Sequence, residues 1–206
     1  MLNRIREKIL SQLPAKRAVF TSIRKLTHTS DFRRWGTTDG LSSDWDSRTQ
    51  QIATMISPGH SVLEFGAGRM VLKELLHESC PYTPTDLVDR GHGTIICDLN
   101  GKTLPDFGRH HVAVFSGVLE YVNDIRRLVR HLFRSVDGII ASYATLEENP
   151  TGRRSWGWVN DYREDEFVSI FEEEGFRILR KERWAMQVIY YFHKPNSREN
   201  PSEEVT

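Results

Sequence analysis

The sequence predicts an α/β domain: a mostly parallel, doubly wound sheet closed by an antiparallel hairpin strand, with helices on both faces. Three observations carry this. Short apolar strand candidates with little polar alternation recur between helical stretches, as strands covered on both faces require. A Gly-x-Gly turn, Gly66-Ala67-Gly68, links an early strand to a helix. The last two strand candidates, 176–184 and 186–193, are joined too tightly for a parallel crossover and must pair antiparallel.

Length and composition bound the rest. At 206 residues the chain suits one such domain with a short appendage. Its 38% hydrophobic and 27% charged residues exclude collagen-like and disulfide-scaffold chains and argue against global disorder. No stretch reaches the ~18 to 20 uninterrupted apolar residues that span a bilayer. The N-terminus lacks a compact apolar run with a small-residue cleavage site, so the expectation is a cytoplasmic protein. Cys80 and Cys97 form no CxxC and have no His pair at ligand spacing, which signals neither a disulfide framework nor a metal site. The 28 basic residues balance the 28 acidic ones, which removes any general attraction to nucleic acid.

The elements follow in order. Residues 1–34 carry nine basic side chains against Glu7 and Asp31. Ile5, Ile9 and Leu13 recur at helical spacing, Pro14 interrupts, and Val19, Phe20, Ile23 and Leu26 resume, which predicts two short amphipathic helices. This basic N-terminal arm could touch an anionic membrane surface, anchor RNA, or pack as a cap on the domain or on a second subunit. Its small apolar faces favour the cap. The main domain runs over 35–194, and the tail at 195–206, rich in Asn, Ser, Glu and Pro, reads as disordered.

Within the domain, a helix over 48–56 places Ile52, Met55 and Ile56 on one face, and Ser57-Pro58-Gly59 stops it. A strand at 61–65 enters the glycine turn, and a helix over 70–77 turns Val71, Leu72, Leu75 and Leu76 inward. Strands follow at 82–86, 94–98 and 111–116. Ile125, Leu128, Val129, Leu132 and Phe133 then fall at the spacing of an amphipathic helix, with Asn123-Asp124 as its cap. Another strand covers 138–143. A helix over 164–174 directs Phe167, Ile170 and Phe171 inward and stops at Gly175, ahead of the hairpin.

The glycine turn is the most informative segment, because glycines let backbone N–H groups approach a ligand at a helix start. Asp86 ends the next strand about twenty residues on, where a carboxylate can accept hydrogen bonds from a ribose diol. Asp98 follows the third short strand at the same sheet edge. A dinucleotide fingerprint would place a third glycine at position 71, which is Val71. Glu64, two residues before Gly66, would repel a pyrophosphate and welcome a cation. S-adenosylmethionine carries an ammonium and a sulfonium and no phosphate, so Glu64 near its amino acid end and Asp86 on its ribose form a coherent assignment.

With these residues in place, the sequence resembles the class I S-adenosylmethionine-dependent methyltransferases. The resemblance is carried by Val62-Leu63-Glu64-Phe65-Gly66-Ala67-Gly68, by Asp86, by Cys97-Asp98-Leu99, and by Val114-Phe115-Ser116-Gly117-Val118-Leu119-Glu120-Tyr121-Val122. It is closest over 57–133 and implies the family's Rossmann-like, seven-stranded fold. It also implies that Gly66, Ala67 and Gly68 shape the loop under the methionine part of the cofactor, supported by Glu64. Asp86, with Leu87 beside it, would bind the ribose hydroxyls. Asp98 would bind the adenine amino group with Leu99 against the ring, and Ser116 and Gly117 would line the floor near the sulfonium. Met70 stands where many relatives have a third glycine, a departure that bears on loop geometry.

The acceptor is less legible. Methyl transfer draws on alignment and electrostatics, so a dedicated base is not obligatory. Tyr143, His110, His111, Glu147 and Asp161 are the candidates for one, and Glu120 is expected to face solvent, with contact to the ligand as the alternative. Nucleobase amino methyltransferases typically carry Asn/Asp-Pro-Pro-aromatic where this chain has Ser116-Gly117-Val118-Leu119, which disfavours that reaction. A small molecule or glycan, methylated on oxygen, is the preferred substrate class. The 145–162 loop offers Trp156, Trp158 and Tyr162 to a ring and Arg153 and Arg154 to a phosphate or carboxylate. Its Trp156-Gly157-Trp158-Val159-Asn160-Asp161-Tyr162 run is similar to bacterial methyltransferases encoded with surface-polysaccharide enzymes. A non-catalytic cofactor-binding scaffold and an RNA methyltransferase anchored by the basic arm are the alternatives.

Overall fold

Strands form where apolar residues run unbroken, and the computed structural model, which describes residues 2–38 and 40–195, gathers seven of them into one sheet. In chain order they are β1 (Val62–Phe65), β2 (Tyr82–Asp86), β3 (Ile95–Ile96), β4 (His110–Phe115), β5 (Val136–Tyr143), β6 (Arg177–Trp184) and β7 (Gln187–His193). The spatial order is β3-β2-β1-β4-β5-β7-β6. The first five are parallel, and β7 lies antiparallel between β5 and β6. This is the expected doubly wound sheet with its C-terminal hairpin. β6, at the sheet edge, is mostly exposed and carries Arg177, Arg180, Lys181, Glu182 and Arg183, a composition that discourages pairing with another chain.

The helices are α1 (Leu2–Thr27), α2 (Phe32–Trp35), α3 (Asp46–Ala53), α4 (Val71–Leu75), α5 (Ile125–Leu132), α6 (Arg153–Trp156) and α7 (Glu164–Glu173). Side chains alternate across strands, so β1 and β4 each feed two cores. Leu63, Phe65, Ala113 and Phe115 pack with Leu128 and Val129 of α5 and Phe167 and Phe171 of α7. Val62, Val112 and Val114 pack on the other face with Ile52 of α3 and Leu72 of α4. Glu64 shares the period of Val62 and points the same way, which sends a carboxyl into the second face at its carboxyl end.

Two expectations are corrected at the N-terminus. Pro14 lies inside one continuous helix, α1, instead of dividing two. Proline removes one backbone hydrogen bond, but the flanking Arg, Lys, Leu and Ala are good helix formers and propagation across the gap is cooperative. The apolar stripe is not the packed face either: Val19, Phe20 and Leu26 are exposed, whereas Thr21 is fully buried. Small Thr21, with Arg17 and Arg24 one helical turn to either side, allows close approach to the domain. Lys25 joins Asp161 at 2.9 Å, and Arg17 reaches the Ser155 carbonyl at 3.5 Å, so the arm docks on α6 and the loop after it. Among the described residues no helix is long and apolar enough to cross a membrane. The 196–206 part of the predicted tail lies outside the described residues.

Candidate functional site

Strand order reverses between β1 and β4, and the crevice at such a switch point is where open α/β sheets take ligands. β1 delivers Gly66-Ala67-Gly68 to its lip. Gly66 sits at a φ of 66°, and a Cβ there would lie 2.7 Å from a Val118 methyl, so the turn tolerates no side chain. Asp86 ties the turn to β2: its Oδ2 accepts from the Gly68 N–H at 2.9 Å, and its Oδ1 accepts from Arg90 Nη2 at 3.1 Å. Arg90 also donates to the Trp35 carbonyl, which joins α2 to the same corner.

Beneath the turn, Glu64 is 3% exposed and accepts a hydrogen bond from the Tyr82 hydroxyl. Burial, assisted by the nearby Asp86 charge and opposed by the Tyr82 bond, pushes its carboxyl up to about 8. Across the crevice, Arg48 of α3 reaches the end of β4. Its Nε donates to Ser116 Oγ at 3.1 Å, Nη2 to the Ser116 carbonyl at 3.1 Å, and Nη1 to Gln187 Oε1 at 2.8 Å. Gly117 makes room for it, because a Cβ there would stand 2.4 Å from Arg48 Nη1. Gln187 in turn donates to Glu120 Oε1 at 2.6 Å, which also accepts from the Ala144 N–H at 2.9 Å. Glu120 is therefore fully buried and not solvent-facing as expected, and burial raises its carboxyl. The short turn Leu119–Tyr121 folds it back beneath β5, where a backbone donor and an amide satisfy one of its oxygens.

These groups surround one cavity of about 400 Å³. Glu64, Gly66, Ala67, Gly68, Asp86, Leu87, Leu99, Ser116 and Gly117 all line it. Asp98 does not: its Oδ1 accepts from Ser30 Oγ at 2.5 Å and from the Asn100 N–H at 2.9 Å, so the arm and its own turn engage that oxygen. All five tryptophans of the chain, Trp35, Trp45, Trp156, Trp158 and Trp184, line the cavity as well. Arg17 and Arg24 of α1 also line it.

The proposed bases lie elsewhere. Tyr143 donates to Asn160 Oδ1 at 2.6 Å in the core, His110 and His111 sit at the opposite sheet edge near Thr83 and Ser61, and Glu147 pairs with Arg163 at 3.1 Å. Asp161 is held by Arg153, Arg154 and Lys25, and against the upward push of burial Arg154 and Lys25 hold its carboxyl below its usual range. Arg153 and Arg154 serve structure instead of a ligand: Arg153 is buried against the Ala144 and Asn160 carbonyls, and Arg154 bonds the Trp158 carbonyl at 2.6 Å. Tyr162 packs near Tyr143 outside the lining. Sequence reasoning missed Arg48, although a signal existed: it precedes Ile52 by one helical turn, a charge on the apolar face of its helix.

Among family models and curated proteins nothing matches the chain. Solved structures do match its fold. A protein of Nostoc punctiforme PCC 73102 with a provisional O-methyltransferase assignment gives a TM-score of 0.67 at 12% identity, covering 90% of this chain and 70% of that one. The N-methyltransferase NodS from Bradyrhizobium japonicum WM9, in complex with S-adenosyl-L-homocysteine, gives 0.60 at 14% identity over 79% of this chain and 95% of its own. CalO1, a methyltransferase in calicheamicin biosynthesis, gives 0.59 at 12% identity over 76% of this chain, which spans 56% of the length of CalO1. The chain thus spans little more than half the length of some of the proteins it resembles. At these identities the likeness is one of fold, the Rossmann-like sheet.

Proposed function

We propose that the chain is an S-adenosylmethionine-dependent methyltransferase acting on an oxygen of a small molecule or glycan. The observation that carries this is the pair of acids, Glu64 buried below the glycine turn and Asp86 bonded across it, lining one end of a cavity at the switch point. The donor set fits the cofactor. Among the described residues Glu64 has a tyrosine hydroxyl and no cation as its side-chain partner, so a buried ammonium would satisfy it. A carboxylate offers about four lone-pair sites, so Asp86 keeps room for a diol beside Gly68 and Arg90. The Asp98 contact with adenine fits less well, since Asp98 does not line the cavity and Ser30 and Asn100 hold one of its oxygens.

When bound, the cofactor supplies an electrophilic methyl group on a sulfonium. The chain contributes alignment: Ser116 and Gly117 form the floor, Arg48 stiffens it, and the tryptophan walls exclude water and present faces to a ring. The Arg24 and Lys25 charges are engaged with Asp31 and Asp161, which supports treating the arm as cavity wall in preference to an RNA anchor. Calorimetric titration of S-adenosylhomocysteine into the wild type and Asp86→Ala tests the proposal. Saturable binding weakened by about ten- to a hundredfold is expected, corresponding to loss of about 1.5 to 3 kcal/mol. No binding to the wild type would overturn it and favour a scaffold with this fold.

A further inference from the structure

The charges lining the cavity do not balance: six arginines stand against four acids. Three lining acids are matched by three lining arginines: Asp31 with Arg24, Asp46 with Arg69, and Asp86 with Arg90. The fourth acid, Glu64, lies at the glycine-turn end. Arg17, Arg34 and Arg48 remain, and among the described residues none of them forms an ion pair. Arg48 is 7% exposed, and the charge of Glu120 reaches it only through the Gln187 amide, which bonds both. A guanidinium carries five N–H groups. Three are used on Ser116 and Gln187, which leaves one on each terminal nitrogen. A buried cation with free donors and no directly bonded counter-charge is stabilised when an anion joins it.

The aromatic walls are arranged around the same cations. The Arg48 guanidinium lies 5.2 Å from the Trp184 ring, and that of Arg34 lies 4.2 Å from the Trp35 ring. Arg34 spends one donor on the Trp156 carbonyl at 2.6 Å, which keeps its fork at the cavity wall.

We propose that the molecule bound beside the floor is an anion: a ring compound carrying a carboxylate or phosphate, its oxyanion on Arg48 and Arg34 and its ring against the tryptophan faces. Calling that molecule the methyl acceptor rests on the methyltransferase proposal; anion binding itself does not. The recognition is carried by Arg48 and Arg34, and not by the loop arginines Arg153 and Arg154, whose donors are committed to the fold.

The test uses the five indole N–H resonances of the ¹⁵N-labelled full chain, all of which report on the cavity. Benzoate, phenyl phosphate and neutral benzamide are titrated in turn. Either anion should bind at least tenfold more tightly than benzamide, and the tighter of the two identifies carboxylate or phosphate as the source. Arg48→Met and Arg34→Met should each erase about tenfold or more of that preference, while Arg48→Lys keeps part of it. Benzamide binding as well as the anions, or no indole shift with any anion, overturns the inference. If Arg48→Met does not fold, Arg34→Met and the wild-type comparison decide it. S-adenosylhomocysteine is titrated into the same sample. Anion binding without it removes the methyltransferase proposal alone, and binding of it without anion selectivity removes this inference alone.

Discussion

Replacing Glu64 with Gln should make the ligand-free protein more stable and the ligand-binding protein worse, and the size of the gain follows from burial. An unfolded chain exposes this carboxyl at its ordinary value of 4.5, whereas the fold raises it to about 8. The folded value is the higher one, so the fold retains a proton that the unfolded chain releases. Its contribution to stability is therefore fully present below pH 4.5 and is lost as pH climbs toward 8. At about 1.4 kcal/mol per pH unit, the loss reaches ~3 kcal/mol at pH 7. Glu64→Gln removes the titration while keeping an oxygen for the Tyr82 hydroxyl. Urea denaturation from pH 5 to pH 8 should show the two proteins converging at the acid end and the variant ahead by ~3 kcal/mol at neutrality, a melting shift of roughly 6 to 12 °C for a chain of this size. The same variant should lose affinity for S-adenosylhomocysteine, and the wild type should release a proton on binding it near pH 7. A stability difference that does not change with pH would refute this account of Glu64.

Other substitutions probe separate links. Asp98→Ala should change S-adenosylhomocysteine affinity by less than about threefold, far less than Asp86→Ala, because Asp98 does not line the cavity; equal calorimetric losses would restore the adenine assignment. Gly117→Ala should cost about 2 kcal/mol or more in urea denaturation, since it puts a Cβ against Arg48 at a positive φ. It should also abolish anion selectivity, and an unaltered variant would mean that Arg48 is not seated there. Ala185, in the hairpin loop at a φ of 45°, should gain about 0.5 to 1 kcal/mol on replacement with Gly, and a lower melting temperature would count against strain at that turn.

What the sequence determined by itself is everything encoded over a few residues. The spacing of Ile125, Leu128, Val129 and Leu132 marked a helix whose four apolar residues are all buried, and the short link at Ala185-Met186 required an antiparallel hairpin. The Gly66-Ala67-Gly68 turn and Asp86, only eighteen positions from Gly68, were legible together because a strand-turn-helix unit brings them side by side wherever it occurs. Tertiary structure decided the rest. Nothing local shows that Arg48 will rest on Ser116, 68 positions away, or that Gln187 will come between it and Glu120. Nor does spacing show that tryptophans at 35, 45, 156, 158 and 184 share one cavity, that Ser30 will occupy Asp98, or that α1 docks by Thr21 and not by its apolar stripe. Those meetings depend on strand order, which reverses between β1 and β4 and carries the ends of distant segments to a single sheet edge. Periodicity and turn chemistry act within one element, whereas a binding cavity is made where several elements end.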